Sequence, residues 1–541
     1  MFGTSLRGIS HLNVKLPLQL HNGGQLSTYH AQVANATANE LQSLMQDPPE
    51  PGNFGEMGNR IARFSVLAET AMEDSSVDQR RLISLLRDYF PWWQPSPATY
   101  VPWKQQASEF VAEKGIVICT GYTNLILAMH LIRSLRNVLN STMPIQVAYA
   151  GDEDLSFHDR RVLTDLGPDI ATLDLLHYFD NGMSGLVGGS WAMKPFAMLA
   201  SRFKKTIVVD ADAIFLRAPD NIFDEEPGLL ETGTLFWHDR AFIQEDDRGR
   251  HAWVRSIMEG REPSPMLNQS LFWTENVYQE MDSAVVCMDK GRPNVFMSLL
   301  FASWMNTREI RQQVTYKHVH GDKETFWLAS ELSSSNYTFM PTYASSIGTL
   351  TPIYNTNAPP AEPLNPFRSP LLNPDPPLLF STHDPNDLKP RLGALHEVQH
   401  HRIPSSHPSR PSPKQICSMQ ILHLDHLGRP FWFNGSLRKN KNNKDSVEMG
   451  VFTNVMFGSA NVTEGGEDGW KMGPVSCLRR GKAIELEGKL GKTMDRILGE
   501  ARRVDVEVLG TNDIMEKMQE DEKNKPPLSG WDASVAGDHA A

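Results

Sequence analysis

Four short apolar runs constrain what this chain can fold into more than anything else in it: Ile116 to Cys119, Ile145 to Ala150, Thr206 to Val209 and Ala284 to Met288. Runs this short and this continuously apolar predict strands buried on both faces, the mark of a parallel sheet. Between them the spacing turns helical, with Leu125, Ala128, Met129, Ile132, Leu135 and Leu139 on one stripe, then Trp191 to Phe203, then Val295 to Asn306. Strands that alternate with amphipathic helices predict an α/β protein with a doubly wound sheet.

The rest of the 541 residues divides around that core. Residues 1–110 read as an N-terminal helical stem or cap, with a helix from Gln79 to Tyr89 that is broken by the Pro/Trp-rich stretch Pro91 to Trp103. Residues 111–440 carry the strand and helix units, and 15 of the chain's 36 prolines fall within a predicted irregular loop at 352–413. Residues 441–541 read as a polar extension, partly disordered, with a Lys/Asn run from Lys439 to Lys444 and a charged helix from Leu478 to Arg503.

A net charge of −12 with no basic stripe argues against nucleic acid as a partner. Cys119, Cys287, Cys417 and Cys477 show no CxxC spacing, which excludes a zinc knuckle and allows one or two disulfides. No apolar run of about 18 residues and no signal-type apolar core occurs, so the sequence taken alone reads as soluble. Six Asn-x-Ser/Thr triplets, at Asn35, Asn140, Asn268, Asn336, Asn434 and Asn461, suit a secretory lumen, although chance supplies several.

Asp210-Ala211-Asp212 follows Ile207-Val208-Val209 directly. Two carboxylates in one strand would face opposite ways, but at a strand end the backbone turns and both can converge on a hard divalent cation. Open α/β sheets bind ligands at that edge. Other signals are weaker. Gly182, Gly185, Gly188 and Gly189 lack GxGxxG order, and His396-Glu397-Val398-Gln399-His400 matches the HExxH zinc metalloprotease pattern but has Ile403 where the extended motif needs glycine and no acidic residue downstream before Asp425.

Six blocks in order carry a resemblance. They are Trp191-Ala-Met-Lys194-Pro, Val209-Asp210-Ala-Asp212, Glu231 to Arg240, Asp282 to Lys290, Gly321 to Trp327, and Cys417 with Gln420 to Asp425 and Trp432 to Gly435. Together they resemble the fungal alpha-mannosyltransferases of glycosyltransferase family 71, over roughly three-fifths of the chain. The resemblance implies a GT-A-like Rossmann-type mostly parallel sheet flanked by helices, GDP-mannose as donor, a manganese ion, and a retaining transfer to a mannose-containing glycan or glycoprotein. The linkage would be alpha-1,3, with alpha-1,2 as the alternative. The family's usual setting is the Golgi lumen behind a type II membrane anchor, which this sequence does not display. Asp282-Ser283-Ala284 has alanine where relatives would carry glycine.

The chemistry assigns expected roles. A sugar diphosphate gains charge on its leaving oxygen as the glycosidic bond breaks, so a cation and donors are needed. Asp210, Asp212 and His423 are the expected metal ligands. Thr120, Gly121, Lys194, Asp210, His238, Asp239 and Arg240 are the expected donor contacts, and Asp282 and Asp322 are the acids to test near the anomeric carbon. A non-catalytic glycan-binding relative of the same fold is the competing reading; intact Asp210, Asp212 and His423 argue against it.

Overall fold

A computed structural model describes residues 39, 43 and 49–510, except 74–78, 95–111, 244–247, 354–412, 442–446, 459–467 and 474. The proline-rich loop and the HExxH segment therefore lie outside the described residues. Two helices come first, α1 (Phe54–Glu73) and α2 (Gln79–Tyr89). Then follow β1 (Ala112–Cys119), α3 (Leu125–Arg133), β2 (Ile145–Tyr149), α4 (Phe157–Thr164), β3 (Ile170–Asp174), α5 (Met193–Ala200) and β4 (Phe203–Asp210). The chain continues through β5 (Ile214–Phe215), β6 (Thr234–His238), α6 (Arg248–Ile257), β7 (Met281–Asp289), α7 (Pro293–Met305) and α8 (Thr325–Leu332).

The main sheet runs β3-β2-β1-β4-β7-β6. Its first four strands are parallel, as the apolar runs predicted, while β7 is antiparallel to both β4 and β6. The expected mostly parallel α/β sheet is therefore present, with an antiparallel edge that apolar content cannot signal because β7 is buried along its whole length. Register matters here: Cys119 of β1 pairs with Asp210 of β4, which sets Thr120-Gly121 and the Asp-x-Asp pair side by side at one sheet edge.

Beyond the main sheet come β8 (Ser345–Gly348), β9 (Leu350–Pro352), β10 (Lys414–Cys417), β11 (Ile421–Leu424), β12 (Pro430–Asn434), β13 (Asn454–Met456), β14 (Gly469–Lys471), β15 (Cys477–Arg479), β16 (Ala483–Glu485) and α9 (Gly488–Leu509). A second sheet runs β16-β13-β8-β11-β12-β5, and a small third runs β14-β15-β10-β9. A disulfide joins Cys417 to Cys477, on paired strands of the third sheet, and leaves Cys119 and Cys287 as thiols. Since β5 begins just after Asp212 and pairs Ile214 with Phe433, the second sheet brings β11 and β12 to the end of β4. The predicted helix from Leu478 instead starts at Gly488, because residues 477–479 and 483–485 pair as strands.

The two ends of the described chain pack into two separate apolar clusters of the core. Phe54, Phe64, Leu82, Leu86, Trp92 and Trp93 pack in the same apolar cluster as Phe196 of α5 and Phe296 of α7, so the predicted stem is integral to it. Met494, Ile497, Ala501 and Val504 of α9 join the cluster of Ile116, Ile132 and Val209. Each such large apolar side chain contributes about 1.5–3 kcal/mol on burial. No helix among the described residues is long and apolar enough to cross a membrane.

Gly58 marks where α1 crosses α8, since a Cβ there would lie 2.4 Å from the Leu332 carbonyl oxygen and 2.8 Å from its carbon. Gly58→Ala must push two backbones apart, at a cost of about 1–3 kcal/mol. We expect its thermal midpoint to fall by several degrees in a calorimetric scan, whereas Gly52→Ala, with open space around it, leaves the midpoint in place.

Candidate active site

The site grows from the carboxyl end of β4. Asp210 closes that strand, Ala213 N–H donates back to the Asp210 carbonyl at 3.0 Å, and the resulting turn presents Asp212. Helix α5 carries Lys194 in its first turn, buried to 3% exposure. The Lys194 ammonium lies 3.3 Å from Asp210 Oδ2, 3.0 Å from Asp322 Oδ2, and donates to Ser283 Oγ at 2.7 Å and to the Ser283 carbonyl at 3.1 Å. Burial alone would lower its pKa, but Asp210 and Asp322 outweigh that and hold it above the ordinary lysine value. Lys194 therefore ties β4, β7 and the segment before α8 together, and its protons are already engaged where the sequence predicted contact with a diphosphate.

Asp210 is raised as well, which in a carboxyl disfavours the charged form. Burial and the nearby charges of Asp212, Asp322 and Asp282 raise it to about 7, against the pull of Lys194. Asp212 pairs with the Lys441 ammonium, and its carbonyl accepts from Ser436 N–H at 2.7 Å. Lys441 was hidden in the sequence as one residue of a polar Lys/Asn run. Carboxylates thus crowd around Asp210, and Asp212 already carries an ammonium partner.

His423, the third expected metal ligand, is paired with Asp282. Its Nε2 lies 3.1 Å from Asp282 Oδ2, its ring stacks on Trp432 at 4.0 Å, and it is 1% exposed. Among the described residues no group of three or more His, Cys, Asp or Glu side chains gathers in a metal-holding arrangement. The partner of His423, Asp282, is fully buried. Asp282 also accepts from Asn434 Nδ2 at 3.2 Å and from Ala284 N–H at 3.0 Å. Burial would raise its pKa, but His423 and Lys323 hold it well below the usual carboxylate range. The triplet at Asn434 thus serves Asp282 rather than a surface.

The remaining predicted donor contacts surround this centre. Thr120 is buried, and Gly121 lies close against the Asp154 carboxylate, which would have to move to admit a Cβ there. Next to them Tyr122 is 72% exposed. His238 Nδ1 lies 2.6 Å from Glu280 Oε1, and its ring is sandwiched between Phe339 at 4.4 Å and Tyr343 at 4.2 Å. Asp239 is held by Lys323 Nζ at 2.6 Å and Arg240 Nε at 3.1 Å; burial opposes its ionisation, and these two cations lower its pKa. Arg240 also donates to Ser476 Oγ at 2.8 Å, which commits it to the third sheet.

The family model described as "Mannosyltransferase putative" matches residues 113–425, more than half of the chain, and the chain belongs to that family. It is 24% identical over 307 residues to the alpha-1,3-mannosyltransferase MNN1 of Saccharomyces cerevisiae, covering 49% of this chain and 39% of that one. It is 23% identical to alpha-1,3-mannosyltransferase MNT2 of the same yeast, covering 60% and 52%, and 30% identical to its alpha-1,2-mannosyltransferase MNN2, covering 34% and 30%. The matched part thus spans about half or less of each relative's length. Among solved structures, core-mannan synthase A of Aspergillus fumigatus in its Mn/GDP form is 9% identical over 42% of this chain and 72% of its own, with a TM-score of 0.30. The galactosyltransferase LgtC with donor and acceptor analogues is 12% identical over 42% and 72%, with a TM-score of 0.27. At those scores the fold is read from its own topology.

Behind His238 lies Glu324, fully buried, which accepts from Glu280 N–H at 3.1 Å and from the Trp327 indole. Burial raises its pKa from 4.5 to about 7. A carboxylate raised on folding holds its proton in the native state after the unfolded chain has released it, so it removes stability as pH climbs from about 4.5 to 7. In chemical denaturation at stepped pH, Glu324→Gln should flatten that decline across the window; an unchanged slope would place the ionisation elsewhere.

Proposed function

We propose that this protein transfers mannose from GDP-mannose to a mannose-containing glycan with retention of the alpha configuration. The single observation that carries the reading is the Asp210-Ala211-Asp212 turn at the carboxyl end of β4, set in register beside Thr120-Gly121 and surrounded by surplus carboxylate charge, in a chain of a mannosyltransferase family. An alpha-1,3 linkage is the proposed product, with alpha-1,2 as the alternative, since relatives of both names match.

Asp210 and Asp212 would hold a manganese ion, which supplies Lewis-acid charge to a sugar diphosphate when bound. Tyr122 offers an exposed ring face to the nucleobase beside Thr120 and Gly121. Lys441, the half-exposed ammonium against Asp212, supplies the point charge for the diphosphate that buried Lys194 cannot. His238, Asp239 and Arg240 border the donor sugar. Of the two acids, Asp322 is assigned to the sugar because it adjoins Asp210 through Lys194, whereas Asp282 is occupied by His423, Asn434 and the Ala284 amide. His423 orients Asp282 in this assignment. A disulfide between Cys417 and Cys477 and the family's setting support the oxidising lumen of the Golgi as its location.

Asp212→Asn tests this directly, because it keeps the side chain's shape and removes its charge. Mannose transfer from GDP-mannose should fall on the order of a hundredfold in a protein whose circular dichroism is unchanged. Chelation should abolish transfer, and GDP-mannose with manganese should raise the thermal midpoint of the wild-type protein more than a UDP-sugar does. A folded Asp212→Asn with near-normal transfer would reject the proposal.

A further inference from the structure

The glycine cluster that lacks a dinucleotide-binding order has another use in the structure. Gly185 and Gly188 take positive φ, at 63° and 69°, and a Cβ on Gly189 would lie 2.8 Å from the Gly185 carbonyl oxygen. Arg311 fixes this turn by donating to the carbonyls of Ser184 at 2.6 Å and Gly185 at 2.7 Å. Ser190 then adopts a left-handed φ of 45°. A left-handed non-glycine residue is a local cost that the surrounding packing must offset. What this tightly built turn delivers is Trp191.

Trp191 alone among the described tryptophans is exposed, at 50%. Its ring lies on the backbone of Gly321, where a Cβ would meet Trp191 Cε3 at 2.8 Å, and beside His320 with ring centroids 5.0 Å apart. Gly321 itself has φ 64°, so both the ring contact and the backbone angle favour glycine there. The very next residue is Asp322, bound to Lys194, and Lys194 stands three residues after Trp191. An exposed aromatic face is therefore held at the margin of the proposed centre. A single surface ring needs no explanation on its own, but one fixed from both sides next to an active centre does.

Its neighbours point to the ligand. Thr120 to Tyr122 follow β1, which pairs with β4, while Lys194 joins Asp210 to Ser283 of β7 and to Asp322. Trp191 packs on Gly321, directly before Asp322, the acid assigned above to the sugar. An aromatic face carries partial negative charge, and the C–H face of a pyranose ring carries the complementary partial positive charge over an apolar surface. Resting on the transferase reading above, we infer that Trp191 is the stacking platform for the pyranose ring of the acceptor glycan.

Three variants separate ring, bulk and fold: Trp191→Ala, Trp191→Leu and Trp191→Phe, each in the full chain with manganese, GDP-mannose and mannobiose as acceptor. Loss of a stacking face should raise the KM for mannobiose about tenfold in the Ala and Leu variants, with the KM for GDP-mannose within about twofold, and Trp191→Phe should restore most of the loss. A direct arm needs no turnover: saturation-transfer NMR should show mannobiose protons contacting the wild-type protein, with the signal weakened in Trp191→Leu and kept in Trp191→Phe. An unchanged acceptor KM, a Leu variant that matches the Phe variant, or donor and acceptor KM rising together would each overturn the platform. Mannobiose binding that depends on Trp191 in a wild-type protein unable to transfer mannose would uphold the platform and overturn the transferase reading instead.

Discussion

One buried ammonium organises the site. Lys194 lies among Asp210, Asp322 and Ser283, which come from three separate parts of the chain. A charge this deep is tolerated only when it is paired and hydrogen-bonded, and removing one member of such a group costs about 3–5 kcal/mol because the remainder is stranded. The arrangement works as a positional constraint: α5 cannot slide along the sheet, β7 cannot shift against β4, and the turn before α8 cannot swing away without breaking it. Trp191 inherits that precision from the short turn, Ser190–Ala192, that runs directly into α5.

A second constraint comes from the far end of the chain. Asp505 of α9 accepts from Arg438 Nη2 at 2.6 Å and lies 2.9 Å from His130 Nε2 on α3, with all three side chains buried. Gln420 donates to the carbonyls of Gly435, Ser436 and Arg438 at 3.1, 3.2 and 2.8 Å. Those contacts shape the strand end whose Ser436 amide and Lys441 ammonium both reach Asp212. Helix α9 lies beyond the residues that match the family model, yet its carboxylate braces the loop against the Asp-x-Asp turn.

The parallel strands were legible because burial on both faces writes itself as continuous apolar sequence, and the Asp-x-Asp turn was legible because two carboxylates directly after such a run have few structural uses. The antiparallel direction of β7 was not legible, since a fully buried strand reads the same either way. His423 shows the limit most clearly. Histidine, spacing and chain order were all consistent with a metal ligand, but its partner is decided by tertiary placement of Asp282, 141 residues earlier. Lys441 and Asp505 were hidden for the opposite reason: they sit in polar sequence that looks solvated until folding brings it against a buried partner.

Electrostatics link these observations. Asp210, Asp212, Asp282 and Asp322 cluster at one sheet edge, and each is answered differently: Asp282 by an imidazole and amides, Asp322 by Lys194, Asp212 by the half-exposed Lys441, and Asp210 by a share of Lys194 alone. The least compensated is Asp210, the one lifted to about 7, and it pairs in register with the end of β1. A raised carboxyl keeps its proton more readily, so burial and neighbouring carboxylates here oppose a full set of negative charges. On the proposed reading, a bound cation would relieve that opposition, so that occupancy of the site and stability of the fold would be coupled through the same carboxylates.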